Sequence, residues 1–316
     1  MSNSSTSFRD LLDREGPILL AGAHDGMSAR LVEEAGFDAV WASGFEISAA
    51  AGVPDASILT MTENLAAART MAERVQIPVL ADCDSGYGNV ANVVRMVREY
   101  EQSGIAGICI EDNPFPKECS FYPGTERPLA SIQEHVRRVR ACLEARTSRD
   151  FVVVARTEAL VAGRGVEEAL RRAEAYADRG ADLCLIHSKS ETADEVLAVA
   201  ARWDRSTPLV CVPTIYRQAT VEELHAGGYK VVIFANHGLR AAVRAMRETF
   251  ARILEMRSAG SVEDRIVSLE TIFKLVGVDE MKAQELHLAA SDAAVKTEVL
   301  EEVLEEVLEP FVFEER

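Results

Sequence analysis

The sequence predicts an α/β chain folded as a (β/α)8 TIM barrel with additional C-terminal helices. Three observations carry that expectation. Eight short, β-rich apolar runs recur along 316 residues, amphipathic helical stretches separate them, and polar residues gather at their C-terminal ends. With 48% hydrophobic residues the chain can bury a large core, and barrels of this kind reach this length as one domain.

The runs are PILLAG (17–22), FDAVWAS (37–43), PVLADCD (78–84), AGICIED (106–112), FVVVART (151–157), ADLCLIH (181–187), PLVCVPT (208–214) and KVVIFAN (230–236). Continuous apolar character over four to seven residues is the mark of parallel strands covered on both faces. Helices are expected over 27–35, 65–74, 90–103, 132–145, 166–179 and 192–202. A long helix should follow Asn236, and VEDRIVSLETIFKLV (262–276) reads as one more amphipathic helix, of a kind that often packs on a neighbouring subunit. The expected organisation is a catalytic barrel over 1–260, packing helices over 261–290 and an acidic amphipathic tail over 291–316. That tail repeats four-residue units (EVLEEVLEEVLEPF), and reads equally as a docking helix or a solvated acidic segment.

The net charge of −17 argues against nucleic acid or an anionic membrane as partner, since both are held through clustered Lys and Arg. Residues 298–316 contribute eight Glu against one Arg, so the body of the chain is only moderately acidic. The cysteines (Cys83, Cys109, Cys119, Cys142, Cys184 and Cys211) show no paired spacing of a disulfide framework or zinc site. The start MSNSSTSFRDLLDREG lacks a signal-peptide pattern, and no 18 apolar residues run together. A soluble cytoplasmic protein with reduced thiols is expected.

At the strand ends stand Ser43, Asp82, Asp84, Glu111, Asp112, Arg156, Glu158, His187, Thr214, Asn236 and His237. That end of a barrel carries the active-site loops. Asp82, Asp84 and Glu111, with Asp55 from the loop GVPDAS, form a hard oxygen donor set without His or Cys, which suits Mg²⁺. The same acids would also satisfy a structural salt-bridge network with Arg156. Arg156 offers a planar, bidentate grip on a phosphate, phosphonate or carboxylate. His187 reads as a donor to the same anion, an acid or base, or a structural residue. Trp41, Ser43 and the Gly44 amide in WASG supply further donors. Residues 113–129 form a Pro- and Gly-punctuated loop of lid length, bringing Lys117, Cys119 and Ser120 toward the mouth. Lys117 nearby would lower the pKa of the Cys119 thiol. GYG (86–88) and AGRG (162–165) match no nucleotide fingerprint and read as turns.

Seven motifs in order (AGAHDGMSARLVEEAGFDAVWASG, DCDSGYGN, IEDNPFPK, VVARTEAL, GADLCLIHSKS, VPTIY and FANHGLRA) resemble the phosphoenolpyruvate mutase and isocitrate lyase superfamily, up to about residue 285. WASGFEISAAAGVPDA, IHSKS and ANHGLRA resemble its branch acting on carbon–phosphorus bonds, the mutase and the phosphonopyruvate hydrolase. The resemblance implies a barrel with a swapped C-terminal helix, a homotetramer or homodimer, and Mg²⁺ bound directly at Asp82. Asp55, Asp84 and Glu111 would hold the metal's waters, Arg156 and His187 the oxyacid group, and Ser43, Gly44 and Phe45 the pyruvyl end. Asn236 stands with the substrate contacts.

One departure stands out. The mutase pattern has Asn-Ser five residues after Glu-Asp-Lys, where this chain has Glu111, Asp112, Asn113 and then Cys119 and Ser120. Hydrolase relatives carry Thr at that place, and the lyases a Cys in a Lys-Arg-Cys-Gly-His motif that KECSF does not match. The expected enzyme is a Mg²⁺-dependent phosphonomutase-type isomerase acting on a pyruvyl oxyacid. Hydrolysis of phosphonopyruvate, C–C lysis or oxaloacetate hydrolysis, mutase action on an arsenic analogue, and a non-catalytic assembly role are the alternatives.

Overall fold

The computed structural model describes residues 7–122 and 127–290, so the predicted tail lies outside the described residues. The chain divides into two compact units, Met1–Glu248 and Thr249–Arg316.

In the first unit each predicted run contributes one strand. These are β1 Ile18–Ala23, β2 Ala39–Ala42, β3 Val79–Asp82, β4 Gly107–Glu111, β5 Val152–Thr157, β6 Leu183–Ile186, β7 Leu209–Cys211 and β8 Tyr229–Phe234. All pair in parallel in sequence order, and β8 closes on β1 with Ile18 opposite Val231. The helices in chain order are α1 Phe8–Asp13, α2 Gly26–Glu34, α3 Gly44–Ala50, α4 Met61–Ala72, α5 Val90–Gln102 and α6 Ile132–Ala145. They continue as α7 Gly165–Ala177, α8 Asp194–Ala200, α9 Val221–Ala226 and α10 His237–Met256. Sequence reading missed α1, α3 and α9, which span two turns or fewer and leave little room for a 3.6-residue period to repeat.

Side chains alternate along a strand, and the alternation sorts this core into two layers. Leu20, Trp41, Leu80, Cys109, Val152, Val154, Leu185, Val210 and Ile233 fill the barrel interior. Val40, Ala81, Ile108, Ile110, Val153, Ala155 and Ile186 face the helices instead. Extending the inward rows by one step puts Ser43, Asp82, Glu111, Arg156 and His187 at the mouth, and on β7 one step past Val212 adds Thr214. Gly22 sits on the inward row of β1, where a Cβ would come within 2.2 Å of the Ala235 carbonyl oxygen. Only glycine lets β8 approach there.

Apart from β1 and β5, the strands end earlier than the apolar runs because the chain turns. After β3, Asp84 (φ 51°), Gly86 (φ 93°), Tyr87 (φ 59°) and Gly88 (φ 140°) take positive φ, the turn expected of GYG, before Asn89 caps α5. The Asp84 carbonyl accepts from the Glu111 amide at 2.8 Å, tying this turn to β4.

In the second unit the single helix expected over 262–276 is broken. A 3₁₀ turn at Glu263–Arg265 and extended backbone at Ile266 precede α11, Leu269–Leu275. The Ser268 hydroxyl accepts from the Thr271 amide at 3.1 Å, so the chain starts a helix there rather than continuing one.

Candidate active site

The mouth rows converge on a cavity of about 50 Å³. It is lined by Trp41, Ser43, Phe45, Asp55, Asp82, Lys117, Cys119, Ser120, Arg156, His187, Thr214 and Asn236, with Phe121, Val212 and Ala235 completing the wall. Gly44, Asp84 and Glu111 stand just behind. A Cβ on Gly44 would lie 3.5 Å from the carboxylates of Asp82 and Asp84, and Glu111 Oε2 is 3.3 Å from Arg156 Nη2. The residues expected to catalyse, bind substrate or hold metal therefore fall in one place, while Asp112 and His237, also at strand ends, do not. Ser43 is also the N-cap of α3, its hydroxyl accepting from the Glu46 amide at 3.3 Å. Asn236 holds a similar place before α10, where Arg240 Nη1 donates to its Oδ1 at 3.4 Å.

The rim acids that looked alike in sequence separate by parity. Asp112 continues the outward row of β4, so it is not a cavity group. It accepts from Tyr176 Oη (2.8 Å), Thr157 Oγ1 (2.9 Å) and Arg172 Nη1 (3.0 Å) among the helices. His237 likewise turns away, packing edge-on against Phe234 at 5.7 Å.

The chain's own cations lie among the mouth acids. Lys117 Nζ is 3.0 Å from Asp55 and 2.8 Å from Asp84, and it keeps its proton because those carboxylates outweigh the cost of burial. Arg156 is 2.6 Å from Glu158, 3.3 Å from Glu111 and 3.8 Å from Asp82. Burial pushes the Glu111 carboxyl up to about 8 despite the pull of Arg156 and Lys117. Its Oε2 has no aligned hydrogen-bond donor, although Asn113 Nδ2 donates to Oε1 at 2.9 Å. The Thr214 hydroxyl is similarly buried and unpartnered.

Among the described residues no three His, Cys, Asp or Glu side chains form a ready metal cluster. The donor set nonetheless fits Mg²⁺, which takes one or two carboxylates directly and keeps its waters. An orphaned carboxylate oxygen on Glu111, three further buried acids (Asp55, Asp82 and Asp84) and no soft ligand in that set match that chemistry.

The described part of the lid, residues 113–122 and 127–129, packs against the cavity. Lys117 and Ser120 are buried, Phe121 packs edge-on against His187 at 5.4 Å, and Cys119 is only 4% exposed. The expectation of an acidified thiol is overturned. Burial raises Cys119 to about 11, and the charge of Lys117 is engaged by Asp55 and Asp84. Cys119 is thus a neutral thiol on the cavity wall.

Sequence reasoning passed over Arg127 and named Glu158 only as a strand-end residue, without a role. Arg127 donates to the carbonyls of Glu118 (3.3 Å), Cys119 and Tyr122 (3.3 Å), clamping the lid backbone. Glu158, fully buried, meets Arg156, His187 and Ser120. Its place on the inward row of β5, two residues past Arg156, was the available signal. Burial alone would raise its carboxyl, but Arg156 and His187 hold it well below the usual carboxylate range.

The family described as phosphoenolpyruvate phosphomutase matches residues 8–254. The phosphoenolpyruvate phosphomutase of Tetrahymena pyriformis is 41% identical over 281 residues, covering 89% of this chain and 94% of that one. The crystal structure of the Streptomyces platensis subsp. rosaceus phosphoenolpyruvate phosphomutase superposes with a TM-score of 0.87 at 50% identity, covering 88% of this chain and 97% of that one. A phosphonopyruvate hydrolase solved with oxalate and Mg²⁺ superposes at 0.83 with 43% identity, covering 88% and 96%. The family match spans residues 8–254 and these relatives cover nearly nine-tenths of the chain at 41–50% identity, so the protein belongs to the phosphoenolpyruvate phosphomutase family.

Proposed function

We propose that this protein is a Mg²⁺-dependent phosphonomutase that interconverts an enolpyruvate oxyacid ester, phosphoenolpyruvate or a close analogue, with the corresponding 3-substituted pyruvate. One observation carries the reading: Arg156 lines a small cavity between Asp82, with Glu111 just behind it, and a lid hydroxyl (Ser120), with His187 beside it. An oxyacid at Arg156 would then have its pyruvyl end toward Ser43, Gly44 and Phe45.

Asp82, with Asp55, Asp84 and Glu111 around it, would hold the metal; when bound, Mg²⁺ supplies positive charge to a developing enolate. In the phosphonopyruvate direction the C–P bond breaks and its electron pair stays with the pyruvyl carbon as the enolate. Arg156 and His187 keep the phosphoryl group in place while the enolate oxygen forms the new O–P bond. No proton or external electron is consumed. A cavity of about 50 Å³ holds a water or two and is far below an ordinary ligand site, so the lid must open for substrate and close again before transfer. Exclusion of water by the closed lid is what favours transfer over hydrolysis.

Phosphorus NMR on phosphonopyruvate tests this directly. A new phosphate-ester signal, abolished by EDTA and restored by Mg²⁺, is expected. Inorganic phosphate instead assigns a hydrolase, and an unchanged spectrum removes phosphonopyruvate as substrate. The Cys119 thiol favours one second reading, mutase action on an arsenical oxyacid, because a soft sulfur replaces the amide donors expected for phosphoryl. Turnover of 3-arsonopyruvate with an inert phosphonopyruvate spectrum would assign it.

We also propose a cytoplasmic homotetramer or homodimer. The cysteines are unbridged and buried, and the second unit exposes Phe250 (65%), Leu254 (65%) and Leu269 (73%), an apolar surface suited to a second copy. Light scattering on the purified chain decides the oligomeric state. Among the described residues no helix is long and apolar enough to cross a membrane.

A further inference from the structure

Glu158 does not line the cavity, yet three groups that do line it converge on its carboxylate. Oε1 meets Arg156 Nε at 2.6 Å and His187 Nδ1 at 2.8 Å. Oε2 accepts from Ser120 Oγ at 2.7 Å. The Glu158 amide donates to Asp112 Oδ1 at 2.8 Å, so the Asp112, Arg172 and Tyr176 network behind the barrel fixes the backbone at this point.

His187 Nδ1 also lies 2.9 Å from Arg156 Nη2. A neutral ring nitrogen donates or accepts, never both. Toward an ionised carboxylate Nδ1 must carry the proton; toward the guanidinium it must carry the lone pair. The two contacts therefore demand opposite tautomers. Glu158 offers only acceptors, whereas Nη2 already donates to Ser120 Oγ at 2.9 Å and has the charge of Glu111 Oε2 3.3 Å away. The carboxylate contact prevails on those grounds.

We infer that Glu158 is a positioning residue: it holds the His187 proton on Nδ1, so that Nε2 is the ring nitrogen left for the oxyacid, orients the Arg156 guanidinium, and docks the lid through Ser120. Nε2 then accepts from a protonated oxyacid O–H when the ring is neutral and donates to the oxyanion when the ring is protonated. A carboxylate behind a histidine acts in the same way in hydrolytic triads, where it sets the tautomer and orientation of the ring. The role rests on the oxyacid site proposed above.

The test is histidine-selective ¹⁵N NMR at about pH 8, where the ring is neutral, with the His187 signals assigned by their loss in His187→Asn. Wild type should show Nδ1–H. Glu158→Leu, which frees Nδ1 to accept from Arg156, should move the proton to Nε2 and lower kcat about a hundredfold or more. Glu158→Gln differs from the amide variant of a triad because Arg156 Nε also donates to the Oε1 position, which holds the carbonyl oxygen toward Nδ1 and turns the amide toward Ser120 Oγ. It should therefore retain Nδ1–H and lose less kcat than Glu158→Leu. A wild-type Nε2–H tautomer overturns the inference without any variant. So does Glu158→Leu retaining both Nδ1–H and kcat. If Glu158→Leu does not fold, the wild-type and Glu158→Gln spectra still decide. A wild type that turns over no phosphonopyruvate would count against the mutase, while the tautomer spectra would still settle the role of Glu158.

Discussion

Arg156 and Cys119 show how single side chains divide the labour of the mouth. Arg156 faces three carboxylates and a histidine from one planar fork, a task a lysine ammonium on a flexible stem cannot copy. Arg156→Lys should lower kcat/KM at least about a hundredfold, or about 3 kcal/mol, while Mg²⁺ affinity changes less. Initial rates by phosphorus NMR against an Mg²⁺ titration check both. Cys119 sits where the family pattern places an amide, and the thiol is a weak donor. Cys119→Asn should raise phosphonopyruvate turnover about tenfold, the worth of one added hydrogen bond to a charged group. An unchanged rate would show that residue 119 does not grip the migrating group. Arg156 was legible in sequence because an arginine ending an apolar strand has few other uses. The state of Cys119 was not, since a thiol's pKa depends on who surrounds it and not on the neighbouring letter.

Among the elements, the lid between β4 and α6 shows most clearly what sequence leaves out. Its length and punctuation were readable, but not how it is held. Arg127 clamps three of its carbonyls, and Lys117 pins it to Asp55 and Asp84. Arg127→Ala should leave the barrel folded, raise KM, and increase the share of inorganic phosphate over phosphate ester by about tenfold, because a looser lid admits water. Integrated phosphorus signals give that ratio, and faster limited proteolysis within 113–129 shows the loosening. No carbonyl clamp can be seen in a sequence, since its acceptors are backbone atoms common to every residue. The helices show the converse. The 132–145 helix was predicted to the residue because Ser131 caps it and apolar positions repeat at helical spacing. The helix expected over 262–276 fails because the Ser268 cap outweighs the periodicity running through it.

Across the whole molecule, buried titratable groups link stability to pH. His135 is fully buried beside Tyr176, with Arg138 and Arg172 nearby, and burial first, then those charges, push its pKa down to about 3. The unfolded chain protonates it near 6.5, the folded chain only near 3. Its contribution is therefore complete above about pH 6.5 and is lost as pH falls toward 3, reaching a loss of about 2 kcal/mol at pH 5. His135→Phe should remove that dependence. Urea midpoints of wild type and variant at pH 7.5 and pH 5 check it, and equal pH slopes for the two proteins would refute it.

By itself the sequence determined the barrel, the side of it that bears the site, and nearly every residue at its mouth. Strand parity and strand ends are written in the order of residues, and alternation sends every second side chain inward. Tertiary structure alone decided which of the rim acids face the cavity as a set, that Lys117 and Arg156 stand among them, that Cys119 is a neutral thiol, and that Glu158 and Arg127 hold the site in place. Those outcomes depend on distances between residues far apart in the chain, and on how completely water is removed around them. Neither quantity exists until the barrel has closed.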